Sequence, residues 1–171
     1  MIVIAVIGSK NSGKTTTIEA LVKGLTKRGY RVATVKHVSE PNFTIDVKGK
    51  DTWRHAQAGA QTVVVVAPKE LGIIRKTDTT KLSLQKIIRN CQSNTDIVIL
   101  EGFRNLIEHK PTVLKIVAIK TFEEAVEASK RFKPIIAFTG SAALTAKRLG
   151  IPVVDVLEES EKLVEIVQSY L

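Results

Sequence analysis

A short stretch near the start of the chain combines glycine, lysine and hydroxyl side chains in a spacing that binds phosphate. Residues 8–15 read Gly-Ser-Lys-Asn-Ser-Gly-Lys-Thr and fit the pattern G-x-x-x-x-G-K-[ST]. Glycine lets the main chain approach an anion closely, and the amides at the N-terminus of a following helix favour negative charge. The residues predicted to contact a nucleotide here are Gly8, Asn11, Ser12, Gly13, Lys14, Thr15 and Thr16.

The same stretch predicts a magnesium site. Lys14, expected on the surface, would reach the β- and γ-phosphates, and the hydroxyl of Thr15 would bind Mg²⁺, which also needs a carboxylate nearby. Residues 96–100 read Asp-Ile-Val-Ile-Leu and predict a buried strand, which ends at Glu101 and is followed by glycine. Glu101 is therefore the predicted carboxylate of the metal site, the alternative being an ordinary charged residue at the end of a strand.

A polar segment after a predicted strand at 31–37 offers further charged groups. Lys36 or Arg54 would neutralise phosphate charge, and Asp46 would bind the metal or orient a water molecule. Each of the three, taken singly, is also consistent with a solvated surface charge. No residue is assigned as catalytic. The guanine-reading sequence Asn-Lys-x-Asp is absent, so the residues alone leave GTP and ATP as alternatives.

Strands and helices alternate along the chain, which predicts an α/β fold with a mainly parallel sheet and helices on both faces. Residues 2–7 form a continuous apolar run, typical of a strand buried on both sides. Four consecutive valines within 61–67 predict another buried strand, which pairs with 71–76 as an antiparallel hairpin because the link is too short for a crossover. A short helix is predicted at 142–149 and an edge strand at 153–156.

Composition limits the class of protein. The 171 residues suit a single domain, and 44% apolar content is enough for a substantial core. Neither a membrane-spanning run nor a leader segment is evident, and the one cysteine, Cys91, suits a reducing compartment, so a cytoplasmic location is expected. The net charge of +9 favours anionic ligands or partners, but the chain carries no nucleic-acid-binding signature, so nucleic acid is not the expected partner.

Several segments taken together resemble the MobB family of molybdopterin-guanine dinucleotide biosynthesis adaptor proteins. They are residues 8–15, Val-Lys-His at 35–37, Leu-Glu-Gly-Phe at 100–103 and Ile-Pro-Val-Val-Asp at 151–155. The most specific segment is 49–60, which reads Gly-Lys-Asp-Thr-Trp-Arg-His-Ala-Gln-Ala-Gly-Ala. The similarity runs through nearly the whole chain.

The resemblance implies a P-loop NTPase fold, a three-layer α/β sandwich formed by a single nucleotide-binding domain over 1–171. It also implies a GTP-binding homodimer with weak intrinsic GTPase activity, in which the hairpin within 63–74 mediates dimerisation. Such a protein assists a guanylyltransferase that joins GMP to molybdopterin, and molybdopterin itself is a further expected ligand. By the same resemblance Gly13, Lys14 and Thr15 bind phosphate and metal, Glu101 supports Mg²⁺, and Asp46 matches a family acid.

Two other functions fit the phosphate-binding stretch. A small-molecule kinase on the same fold would need an arginine-bearing lid, and no lid insertion is evident after the helix predicted at 80–90. A nucleic-acid-binding ATPase would use the basic surface, and its binding would depend steeply on salt.

Overall fold

The computed structural model describes residues 1–91 and 93–171. Two compact units are present, one formed by Met1–His37 with Ser83–Leu171 and the other by Val38–Leu82. The single nucleotide-binding domain over 1–171 stays a prediction. In chain order the elements are β1 (Ile2–Gly8), α1 (Lys14–Lys27), β2 (Val32–Lys36), α2 (Asp51–Gln57), β3 (Thr62–Ala67), β4 (Glu70–Arg75), α3 (Leu84–Ile88), β5 (Ile97–Glu101), α4 (Arg104–Ile107), β6 (Val113–Ala118), α5 (Phe122–Arg131), β7 (Ile135–Thr139), a 3₁₀ helix (Ala143–Leu149) and α6 (Ser160–Gln168).

The first unit is built on a parallel sheet of five strands in the order β2-β5-β1-β6-β7. Alternate side chains of β1 enter two separate cores, because successive residues of a strand point to opposite faces. Ile4 and Val6 pack with α1 and α6 on one face, whereas Ala5 and Ile7 pack with α3, α4 and α5 on the other. The predicted three-layer sandwich is confirmed.

All five strands of this sheet end at one edge, since they are parallel. The register pairs Lys36 of β2 with Glu101 of β5, Glu101 with Val6 of β1, and Gly8 of β1 with Ala118 of β6. Ligands of open parallel sheets bind beyond the carboxyl ends of the strands. The predicted residues Lys36, Glu101 and those of 8–15 in the first unit therefore belong to one edge of the sheet.

The second unit contains α2 and a two-stranded antiparallel sheet of β3 and β4, as predicted for the hairpin. The prediction that the valine run is buried is wrong. Val63 is buried, but Val64, Val65 and Val66 are 54%, 38% and 79% exposed. Consecutive valines indicate a preference for strand geometry, not burial. Burial would require another layer packed over the hairpin, and one copy of the described chain does not supply it.

Three further elements differ from the predictions. The helix predicted at 142–149 is a 3₁₀ helix over Ala143–Leu149, and 153–156 form only a single parallel bridge between Val153 and Phe138 instead of an edge strand. The short helix α4 was not predicted, since its start depends on a left-handed residue, Phe103, with φ 59°. In the parts of the chain that the structure describes, no helix is both long and apolar enough to cross a bilayer.

Candidate functional site

The segment 8–15 forms a tight loop between β1 and α1. Gly8 must be glycine, because a Cβ there would collide with the carbonyl oxygen of Ala118 and with Oγ of Ser12. Asn11 and Gly13 both adopt left-handed backbone angles, with φ 59° and 92°. Such turns direct successive N–H groups toward one side and form a concavity for an anion.

The N-terminus of α1 is prepared for an anion in the same loop. Gly13 precedes the helix and, within the described chain, no side chain caps it, so the first N–H groups lack that partner. Ser12 is buried, and its Oγ has no hydrogen-bond partner among the described residues. Buried polar atoms are rarely left unpaired. These orphaned groups suit the oxygens of a phosphate.

Lys14 closes over the loop. Its Nζ donates hydrogen bonds to the carbonyl oxygens of Ser9 at 2.6 Å and Gly8 at 3.2 Å. Lys14 was expected at the surface, and it is half-buried. Burial lowers the pKa of Lys14, Glu101 opposes that shift, and the nearby charges of Lys36, Arg104 and Lys120 add to it. Positive charge is thus concentrated around the loop.

Arg104 and Lys120 were not predicted as site residues. They follow the ends of β5 and β6, the two strands on either side of β1. Their position after parallel strands is the signal that could have identified them. Thr15 and Thr16, which were predicted, are exposed at the start of α1, where the hydroxyl of Thr15 is accessible to a metal ion.

Glu101 and Lys36 form an ion pair, with 3.1 Å between Nζ of Lys36 and Oε1 of Glu101. The carboxylate side chain is only 16% exposed, whereas that of Lys36 is 59% exposed. The backbone N–H of His37 donates to the carbonyl oxygen of Glu101 at 3.0 Å, which holds the strand ends together. A partly buried carboxylate beside the phosphate loop has the chemistry of a magnesium ligand.

Asp46 and Arg54, also predicted as site residues, lie in the second unit. Oδ1 of Asp46 accepts from Oγ1 of Thr52 at 2.7 Å and from the N–H of Val47 at 2.9 Å, so this oxygen supports the start of α2. Its Oδ2 is buried and unpaired within the described part of the chain. Arg54 is exposed, and its Nη1 lies 3.9 Å from Oδ1 of Asp51. Their roles toward a nucleotide stay predictions.

A separate cluster of metal-ligating side chains is not found: residues 1–91 and 93–171 contain no group of three or more His, Cys, Asp or Glu side chains placed to hold an ion. Mg²⁺ that binds together with a nucleotide takes ligands from the phosphates and keeps only one or two protein ligands. The donor set of Thr15 and Glu101 fits that requirement.

The family model described as molybdopterin guanine dinucleotide synthesis protein B matches residues 3–139 of this sequence. The chain belongs to the MobB family. The match includes the phosphate loop, the Lys36–Glu101 pair and the hairpin, so the resemblance seen in the sequence is confirmed.

Solved MobB structures share the fold. A crystal structure of Bacillus subtilis MobB is 25% identical, with a TM-score of 0.77 over 100% of this chain and 98% of that one. A crystal structure of molybdopterin-guanine biosynthesis protein B is 26% identical, with a TM-score of 0.72 over 99% of this chain and 100% of that one. The α/β architecture predicted from the sequence is therefore that of MobB proteins.

Curated MobB relatives are similar over part of their length. A molybdopterin-guanine dinucleotide biosynthesis adapter protein of Haemophilus influenzae is 36% identical over 59% of this chain. A putative adapter protein of Methanocaldococcus jannaschii is 36% identical over 70% of this chain. The matched segments span 56% and 48% of these two relatives, about half of their own length.

Proposed function

We propose that this protein binds GTP with Mg²⁺ at the loop 8–15 and assists a guanylyltransferase that forms molybdopterin guanine dinucleotide. The observation that carries the proposal is the geometry of the loop, with left-handed Asn11 and Gly13, an uncapped helix N-terminus and a lysine folded over it. Membership of the MobB family supports the choice of pathway and of guanine, which the residues of the site do not specify.

Different residues of the proposed site bind the phosphates and the metal ion. The N–H groups of Gly13 and Lys14 and the ammonium of Lys14 face the phosphates, while Thr15 and Glu101 hold Mg²⁺. The metal neutralises part of the triphosphate charge when it is bound. Lys36 adds a cation at the same edge of the sheet, and Asp46 and Arg54 are assigned supporting roles toward the metal and the phosphates.

The protein acts mainly as an adaptor and hydrolyses GTP slowly. We assign no residue as the activator of the attacking water. Intrinsic rates of P-loop GTPases fall to about 10⁻⁴ s⁻¹ when a completing partner is absent. The transferase is the proposed partner, molybdopterin a further ligand, and the cytoplasm the proposed location.

A second copy of the chain is proposed to cover the hairpin. One face of the hairpin includes two aliphatic cross-strand pairs, Val64 with Ile73 and Val66 with Leu71. All four side chains are more than half exposed. A contiguous aliphatic face of this kind favours burial against a partner. A homodimer formed through it agrees with the role that the resemblance gives to this hairpin.

The experiment that tests the function is a competition titration of GTP against ATP in the presence of Mg²⁺, followed by an assay with the transferase. We expect GTP to bind at least about tenfold more tightly than ATP, a difference of about 1.4 kcal/mol. We also expect the protein to raise the yield of molybdopterin guanine dinucleotide. Equal affinity for both nucleotides, or no effect on the transferase, would contradict the proposal.

Replacing Glu101 by glutamine tests the metal site. We expect Glu101→Gln to weaken GTP binding in Mg²⁺ by roughly 10- to 100-fold, because a neutral amide holds the cation poorly. Without Mg²⁺ the affinity should stay the same or rise, since the carboxylate no longer repels the phosphates. Calorimetry with and without Mg²⁺ measures both values. Glu19→Gln, on the exposed side of α1, is the control, and an unchanged Mg²⁺ dependence in Glu101→Gln would make Glu101 structural.

A further inference from the structure

The end of β7 contacts the first turn of α1, although 122 residues separate Thr139 from Thr17 in the chain. The Oγ1 atoms of Thr139 and Thr17 lie 3.0 Å apart, and both residues are fully buried. Gly140, the next residue, packs against Ser12 and Gly13. Neither Thr139 nor Gly140 belongs to the G-x-x-x-x-G-K-[ST] pattern, so the motif does not account for this contact.

The direction of the threonine–threonine hydrogen bond follows from the number of protons. The Oγ1 of Thr17 donates to the carbonyl oxygen of Gly13 at 2.9 Å. A hydroxyl has one proton to donate, so Thr139 must donate to Thr17. The N–H of Thr17 also donates to the same carbonyl at 2.9 Å. The carbonyl of Gly13 is therefore held in the direction of α1. The hydrogen bond from Thr139 in turn fixes the Thr17 hydroxyl that donates to this carbonyl.

Gly140 lies close to the peptide unit that joins Ser12 to Gly13. It adopts φ 95°, and a Cβ on it would lie 2.7 Å from the carbonyl oxygen of Ser12 and 2.5 Å from that of Ile119. Real Cβ atoms do not approach oxygen so closely, and the carbonyl of Ile119 is held in place because it accepts a hydrogen bond from the N–H of Ala142 at 3.3 Å. The carbonyl of Ser12 thus faces Gly140 across a gap that only glycine leaves open.

Holding these two carbonyls determines where the loop amides point. In a planar trans peptide the C=O and the following N–H point in opposite directions. With the Ser12 carbonyl facing Gly140, the N–H of Gly13 points away from β7. With the Gly13 carbonyl directed along α1, the N–H of Lys14 points out of the helix N-terminus. These are the two amides that the proposed function assigns to the phosphates.

We propose that Thr139 and Gly140 are positioning residues for the nucleotide: they hold the carbonyls of Ser12 and Gly13 so that the amides of Gly13 and Lys14 are oriented for the triphosphate. This inference rests on the proposed binding of GTP at residues 8–15. Thr139 and Gly140 act through the loop and do not themselves contact the phosphates.

The test compares Thr139→Val, which keeps the shape of the side chain, with Thr139→Ser, which keeps the hydroxyl. We expect Thr139→Val to bind Mg·GTP about three- to tenfold more weakly, as for one lost buried hydrogen bond, and Thr139→Ser to bind nearly as the parent protein does. The affinity of Thr139→Val for inorganic triphosphate, which has no base, should fall by the same factor. Gly140→Ala should lose more, because it displaces the backbone of Ser12.

A readout without ligand separates positioning from general destabilisation. The amide signals of Gly13 and Lys14 in NMR spectra should move in Thr139→Val and return in Thr139→Ser. Thr26→Val is the matched control, since it removes a threonine hydroxyl from the far end of α1, where Oγ1 donates to the carbonyl of Val22. If Thr139→Val does not fold, Thr139→Ala removes the same hydroxyl and takes its place.

The outcomes distinguish this inference from the function on which it rests. Parent-like affinity of Thr139→Val for both GTP and triphosphate, with Lys14→Ala still impaired, would overturn the positioning role and leave the proposed function standing. Loss of affinity in Thr139→Val that serine does not restore would also overturn it. If the parent protein binds neither GTP nor triphosphate, the proposed function fails and the positioning role fails with it.

Discussion

Lys14→Ala should reduce the affinity for GTP by roughly 100-fold while the protein stays folded. The ammonium of Lys14 supplies a full positive charge within the loop, and hydrogen bonds to charged groups contribute about 1.5–3 kcal/mol. The two carbonyl oxygens that it contacts belong to Gly8 and Ser9, which are both only partly buried. The cost in folding stability should therefore remain within about 1 kcal/mol.

Isothermal titration calorimetry with Mg·GTP measures this loss, and thermal unfolding without nucleotide measures the stability. Lys23→Ala is the matched control, because Lys23 is an exposed lysine on the same helix, about two and a half turns further on. It removes the same charge from the protein and should bind GTP as the parent does. A Lys14→Ala protein with parent-like affinity would remove the basis for placing the triphosphate at this loop.

Val66→Lys should convert the proposed dimer into monomers. Val66 is 79% exposed and lies opposite Leu71 on the hairpin. A lysine at the centre of an apolar interface would lose its hydration without gaining a partner, which costs several kcal/mol. Each 1.4 kcal/mol is a factor of ten, so we expect the dissociation constant of the dimer to rise by about 100-fold or more.

Sedimentation velocity over a range of protein concentrations measures the dimer and its dissociation. Ile73→Lys, on the same face of the neighbouring strand, should act in the same way. Leu157→Lys places the same charge on an equally exposed aliphatic residue of the first unit and should leave the dimer intact. A Val66→Lys protein that dimerises as tightly as the parent would mean that another surface joins the copies.

The order of the elements and the phosphate loop could be predicted from the sequence because their signals are local. A continuous apolar run at 2–7, the glycines at 8 and 13 and the apolar period of the following helix each describe a few neighbouring residues. Glu101 was also predicted, since a carboxylate at the end of a buried strand is a local pattern. Local signals of this kind do not depend on how the chain folds back on itself.

The features that could not be predicted from the sequence depend on the order of the strands in the sheet and on which layer covers each element. The 3.1 Å contact between Lys36 and Glu101 exists because β2 lies beside β5, although β2 follows β1 in the chain. The contact of Thr139 with Thr17 likewise requires β7 to reach the loop from beyond β6. The exposure of Val66 could not be predicted, because strand propensity says nothing about which layer covers a hairpin.

The central place of β1 in the sheet has a thermodynamic consequence for ligand binding. This strand is hydrogen-bonded to β5 on one side and to β6 on the other, and its side chains fill both cores. Segments so protected exchange their amide hydrogens only through global unfolding, whereas loops and edges open locally. Nucleotide bound at the end of β1 should therefore raise the melting temperature of the whole first unit, in proportion to the logarithm of its concentration.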